Sequence, residues 1–84
     1  MKVDLKLFAS LSTYLPPEAH RTSCVSLTVD PGASVKDLIV RFHLPPELCT
    51  LVLLNGTFVP AQEWADRILV EGDVLAIWPP VAGG

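Results

Sequence analysis

The sequence predicts an α+β domain in which one helix covers the apolar face of a mixed sheet. Three observations carry this. Two N-terminal runs alternate with period two, one run after them has helical spacing, and an Asn-Gly hairpin signal precedes a last apolar strand-like run. With 84 residues the chain is read as one domain, because a core of this size already buries only about 60% of the surface its unfolded chain exposes. Apolar residues make up 50% of the chain and charged residues 18%, enough for a packed core and too apolar for a disordered segment.

Lys2 to Ala9 places Val3, Leu5 and Leu7 on one face and Lys2, Asp4 and Lys6 on the other, the pattern of a half-buried strand. Ser10 to Ser23, with Tyr14 and the Pro16-Pro17 pair, reads as a loop with a helical turn before the prolines. Cys24 to Val29 alternates again, with Val25, Leu27 and Val29 on one side, and is expected to hairpin onto the first strand. Asp30-Pro31-Gly32 is a turn signal. Ser34 then supplies an oxygen to cap helix amides, and Asp37 three residues on completes an acidic capping box. Val35, Leu38, Ile39 and Phe42 form one apolar stripe, which predicts a helix from Ser34 to Phe42. Pro45 and Pro46, having no amide donors, stop it.

Leu51 to Leu54 is a continuous apolar run followed by Asn55-Gly56, whose residues tolerate the positive φ of a type I′ turn, so Thr57 to Pro60 should return as a short strand. Ala61 to Val70 has mixed spacing and reads as irregular, with one helical turn near Trp64. After the Glu71-Gly72-Asp73 turn, Val74 to Trp78 is the last strand, ended by Pro79-Pro80. Leu75 and Ile77 should face the helix, leaving Val74, Ala76 and Trp78 on the far side. The order strand, strand, helix, strand, short strand, strand is that of a β-grasp fold, a mixed sheet of four to five strands on one main helix. The expected organisation is a domain over residues 1–80 and an extended, flexible tail over 81–84.

The net charge of −3 reflects nine acids against six bases, and the bases are spread singly as Lys2, Lys6, Arg21, Lys36, Arg41 and Arg67. Without a basic patch, nucleic-acid binding is not expected. No apolar signal core or bilayer-length stretch is present in the sequence, so the expectation is a cytoplasmic protein without membrane association. Cys24 and Cys49 are too isolated for a disulfide framework or a metal site and read as structural thiols, with a redox or sulfur-relay role as the alternative. His20 and His43 lack companions at ligand or triad spacing and read as ordinary histidines. No carboxylate pair, nucleophile with a nearby His, phosphate loop or metal spacing marks the chain as an independent enzyme.

The segment from Glu71 through Trp78 to Pro79-Pro80-Val81-Ala82-Gly83-Gly84 resembles the C-terminus of the ubiquitin-like ThiS/MoaD sulfur-carrier family, most of all the molybdopterin synthase small subunit. Leu7-Phe8-Ala9, Gly32 to Leu38 and Leu54-Asn55-Gly56 extend the likeness along the chain. The resemblance implies a protein that is not itself an enzyme and enters catalysis only as the small subunit of a heteromeric synthase. A ubiquitin-activating-type enzyme would spend ATP to adenylate the Gly84 carboxylate, and a sulfur donor protein would convert it to a thiocarboxylate. The synthase large subunit would then receive the sulfur, for molybdopterin or tungstopterin. No cofactor or metal is expected on the chain itself.

In this reading Gly84 is the reacting group, Gly83, Ala82, Val81, Pro80 and Pro79 form the tail that enters partner channels, and Trp78 belongs to the partner interface. Glycine at the end suits a terminus that must pass narrow channels, because it has no Cβ to obstruct them. Thiamine or another sulfur route, a ubiquitin-like protein modifier, and a plain interaction module are the alternatives. For Trp78 the alternative is a space-filling core residue, and for Gly83-Gly84 a frayed end.

Overall fold

The computed structural model describes residues 1–80. Five strands, β1 (Lys2–Leu7), β2 (Cys24–Thr28), β3 (Leu51–Leu54), β4 (Thr57–Phe58) and β5 (Val74–Trp78), form one sheet in the order β2-β1-β5-β3-β4. The helix α1 (Val35–Arg41) packs on it. β1 and β5 are parallel neighbours at the centre, in a register pairing Leu5 with Leu75 and Leu7 with Ile77. β2 pairs antiparallel with β1, and β3 antiparallel with both β5 and β4. This is the β-grasp arrangement, with five strands.

The alternation sorts the faces as expected. Val3, Leu5, Leu7, Val52, Leu54, Leu75 and Ile77 are buried beneath the helix stripe of Val35, Leu38 and Ile39, while Phe42 is half-buried at the stripe's end. Burying one such side chain contributes about 1.5–3 kcal/mol, so this layer is the main source of stability.

Both ends of α1 are closed by local chemistry. Ser34 Oγ accepts from the Asp37 amide at 3.2 Å, and Asp37 Oδ2 accepts from the Ser34 amide at 2.8 Å, the complete capping box. At the other end the Leu44 amide donates to the Ile39 carbonyl and the His43 amide to the Val40 carbonyl, both at 3.0 Å. These are the two bonds of a Schellman motif, with Leu44 and Ile39 both buried. The left-handed position of that motif usually belongs to glycine, yet His43 occupies it at φ 56°. A side chain there costs about 1–2 kcal/mol.

The hairpin turn after β3 forms with Asn55 at φ 52° and Gly56 at φ 84°. Asn55 has a second task. Its Nδ2 donates to Asp73 Oδ1, its Oδ1 accepts from the Val74 amide, and Asp73 Oδ2 accepts from the Val70 amide, each at 2.8 Å. Asp73 is buried, and these bonds satisfy it while tying the β3–β4 turn to the turn that launches β5.

Two stretches carry more structure than their composition suggests. The segment after β1 is a 3-10 helix over Ala9–Tyr14, followed by a further turn at Pro17–Ala19, and it sends Leu11, Leu15 and Ala19 into the core. The helical turn expected before the prolines is therefore present, joined by one after Pro16. In the 61–70 stretch a 3-10 turn spans Ala61–Glu63, and Trp64 directly after it is buried with its indole Nε1 donating to the Val59 carbonyl at 3.1 Å. Ile68 then bridges to Ser34, and Leu69 fills the core.

Candidate functional site at the end of the central strand

β5 lies between β1 and β3, so its C-terminal end is held from both sides. The Phe8 amide donates to the Ile77 carbonyl at 3.2 Å, and the Thr50 amide to the Trp78 carbonyl at 3.0 Å. Pro79 is buried and Pro80, the last described residue, is exposed. Neither proline offers an amide to extend the ladder. Val81, Ala82, Gly83 and Gly84, which the sequence reading assigned to the tail and the reacting carboxylate, lie outside the described residues.

Trp78 is on the face away from α1, 37% exposed, and its ring stacks on Phe8 with centroids 4.1 Å apart and planes 10° from parallel. Phe8 is a site residue that the sequence reading missed. The signal was available in the alternation of β1, where Lys2, Asp4, Lys6 and then Phe8 fall on the outer face. Using it required knowing that β1 and β5 run parallel and in register. Leu51 pairs with Trp78, Leu53 with Ala76, and Phe58 with Leu53, so an apolar patch spreads from the stack across β3 to β4. Leu51 and Phe58 are exposed, whereas the β1 and β2 half of the same face carries Asp4, Lys6, Ser26 and Thr28. An exposed apolar patch of this kind beside the last described residue is a candidate docking surface.

The cysteines are both free. Cys49 is buried just before β3, with Sγ 3.5 Å from the Pro45 carbonyl. Burial, helped by the charge of Glu47, pushes its thiol above the ordinary cysteine range. It is held as a thiol rather than a reactive thiolate. His20 Nε2 lies 2.8 Å from the Leu15 carbonyl. Among the described residues no group of three or more His, Cys, Asp or Glu side chains is placed to hold a metal ion. Nor is any helix among them long and apolar enough to cross a membrane.

The ThiS family model matches residues 5–84, nearly the whole chain and the terminal glycines with it. The chain belongs to the ThiS family. Among solved structures it is similar to SAMP1 from Haloferax volcanii, at 28% identity over 100% of both chains and a TM-score of 0.68. It is also similar to the HVO 2177 protein from Haloferax volcanii, at 27% identity over 100% of this chain and 87% of that one, TM-score 0.75. A chain in the complex of subunits 1 and 2 of the molybdopterin-converting factor from Helicobacter pylori shares the fold, at 19% identity over 100% of both chains and a TM-score of 0.60. No curated protein matches. This ThiS-family chain is thus a ubiquitin-like β-grasp protein of the sulfur-carrier or modifier type.

Proposed function

We propose that this chain is a sulfur carrier whose Gly84 carboxylate is adenylated and then converted to a thiocarboxylate, delivering sulfur for molybdopterin or tungstopterin synthesis. The observation that carries the proposal is the Pro79-Pro80-Val81-Ala82-Gly83-Gly84 ending in a chain whose family match runs through residue 84. A carboxylate is a poor acyl donor because its leaving group would be oxide. Adenylation supplies AMP as a good leaving group, which the terminal sulfur of a donor-protein persulfide displaces to give an acyl disulfide, and a second thiol then cleaves that S–S bond, releasing the thiocarboxylate and leaving a disulfide behind. The resulting thiocarboxylate sulfur is anionic near neutral pH and attacks a substrate held by a second protein.

In this role the domain over residues 1–80 positions the terminus, residues 81–84 serve as the reaching tail, and Trp78 with Phe8 docks the partner. An activating enzyme that uses ATP, a sulfur donor protein and a synthase large subunit are the partners required, and the chain itself binds no cofactor. The two-subunit factor from Helicobacter pylori named above supports a large-subunit partner by its fold likeness. The test is to incubate the chain with its activating enzyme, ATP and a sulfur donor. Its mass should rise by the exchange of one oxygen for sulfur. A chain that never acquires this change is not a carrier.

A protein modifier is the second reading, supported by the likeness to a small archaeal modifier, SAMP1 at 28% identity, beside 24% and 19% to two converting-factor chains. It uses the same activated Gly84 to acylate a lysine. Cellular conjugates in which lysine carries, after tryptic digestion, a branch running from Ile68 to Gly84 would decide for it.

A further inference from the structure

Asn55 is the only asparagine in the chain, and Gly56 follows it. An Asn-Gly pair is chemically labile wherever the glycine nitrogen can reach the asparagine side chain, because no Cβ shields that nitrogen. At this turn the nitrogen is open. Both residues are exposed, a Cβ built on Gly56 would meet nothing within 4 Å, and among the described residues the Gly56 amide donates to no protein group.

The side chain that it would attack is tied down. Asn55 Nδ2 donates to Asp73 Oδ1 and Asn55 Oδ1 accepts from the Val74 amide, while the Asn55 amide donates to the Val74 carbonyl, each at 2.8 Å. Cyclisation has to turn Cγ toward the glycine nitrogen, which breaks the two side-chain bonds first. Asp73 is 6% exposed, and its other oxygen is committed to the Val70 amide at 2.8 Å. A partner so held has little room to turn aside when the residue opposite it changes.

We infer that Asn55 is a deamidation site gated by folding: the native clasp protects it, opening of the turn exposes it to Gly56, and the product cannot re-form the clasp. In the step the Gly56 nitrogen bonds to Asn55 Cγ and gives up its proton, the Cγ–Nδ2 bond breaks, and ammonia leaves with that proton. Water then opens the cyclic imide, at the side-chain carbonyl to give aspartate or at the backbone carbonyl to give isoaspartate. The net change is amide plus water to acid plus ammonia, with nothing oxidised or reduced. Aspartate sets an ionised oxygen where Nδ2 donated, so two carboxylates meet across a hydrogen-bond distance and repel. Isoaspartate adds a methylene to the backbone of a two-residue turn whose geometry, with φ 52° at Asn55 and 84° at Gly56, does not accommodate it. Either product unties the β3–β4 turn from the start of β5. The change is one-way, so a chain that has opened carries a lasting mark of it.

The test keeps the full chain in mildly alkaline buffer, folded in one sample and unfolded in guanidinium chloride in the other. Mass spectrometry of the intact and digested chain follows the exchange of amide for acid at Asn55, and isoaspartyl methyltransferase counts the isoaspartate. Conversion in the folded sample should be at least about tenfold slower, because it must pass through the rare opened form. Equal rates, or no conversion in the unfolded sample, would overturn the inference. Asn55→Asp reproduces the aspartate product and should melt below the native chain. Exchanging the pair, Asn55→Asp together with Asp73→Asn, sets a donor against an acceptor again and should recover most of that loss. An Asn55→Asp chain that melts like the native one, or an exchanged pair that recovers nothing, would equally overturn it. No activating enzyme or partner enters these experiments and Gly84 is unaltered, so their outcome is separate from that of the carrier reading.

Discussion

Leu38 is 2% exposed at the middle of the helix stripe, and it shares the core with Leu5, Leu75 and Ile77, none of which is exposed at all. Truncating it leaves a cavity that the surrounding strands cannot close. Leu38→Ala should therefore cost about 2–5 kcal/mol, a large share of the roughly 5–15 kcal/mol that a domain has in total. Urea titration would show this as a lower midpoint with an unchanged slope. An unchanged midpoint would mean that the helix does not depend on this contact. The cysteines differ by the same logic of burial. Cys49 is buried and its thiol is pushed above the ordinary range, whereas Cys24 is half-buried at the start of an edge strand. In the native protein an alkylating reagent should label Cys24 first and reach Cys49 only through opening of the domain, read by mass spectrometry of the digested chain. Rapid labelling of Cys49 would revive a sulfur-relay role for it.

The Trp78–Phe8 stack belongs to the scale of elements, since it exists only because β1 and β5 are parallel and in register. Under the proposed function, Trp78→Ala should weaken binding of the synthase large subunit severalfold or more, in line with the dominance of aromatic anchors at interfaces. It should change stability little, because the ring lies outside the core. Titration of the partner by calorimetry checks the first point and thermal melting the second, and unchanged affinity would leave Trp78 as a space-filling residue. The strands and the helix were legible in the chain because their patterns are local: period two in Lys2 to Ala9, the stripe from Val35 to Phe42, and Asn55-Gly56 at the hairpin. Trp78 on the outer face followed from the same alternation. Phe8 as its partner did not, since parallel register is a long-range property. The burial of Leu11, Leu15, Ala19 and Trp64 was hidden too, because 3-10 turns bury single residues without a repeating pattern. The His43 position escaped notice because its left-handed backbone is dictated by the Schellman bonds to Ile39 and Val40, not by its own residue type.

At the scale of the molecule, the sheet holds the C-terminal end of β5 between two neighbours. β5 is fixed between β1 and β3, its last carbonyls are bonded to Phe8 and Thr50, and Pro79 is buried, so the chain beyond Pro80 starts from a defined point. Four residues reach at most about 13 Å at roughly 3.3 Å each. If the terminal carboxylate is the reacting group, altering the end changes both the chemistry and the reach. Appending one residue after Gly84 moves the carboxylate about 3.5 Å onward and leaves an amide at the carbon that should be adenylated. The extended chain should keep the melting temperature of the native one, because no described core residue is touched. It should gain no sulfur in the presence of activating enzyme, ATP and donor, and should support no sulfur-dependent product. A protease site built into the extension restores the native end in the same sample, and cleavage should restore the mass change. Sulfur acquired equally before and after cleavage would place the reaction elsewhere on the chain, and the carrier role of Gly84 would be wrong.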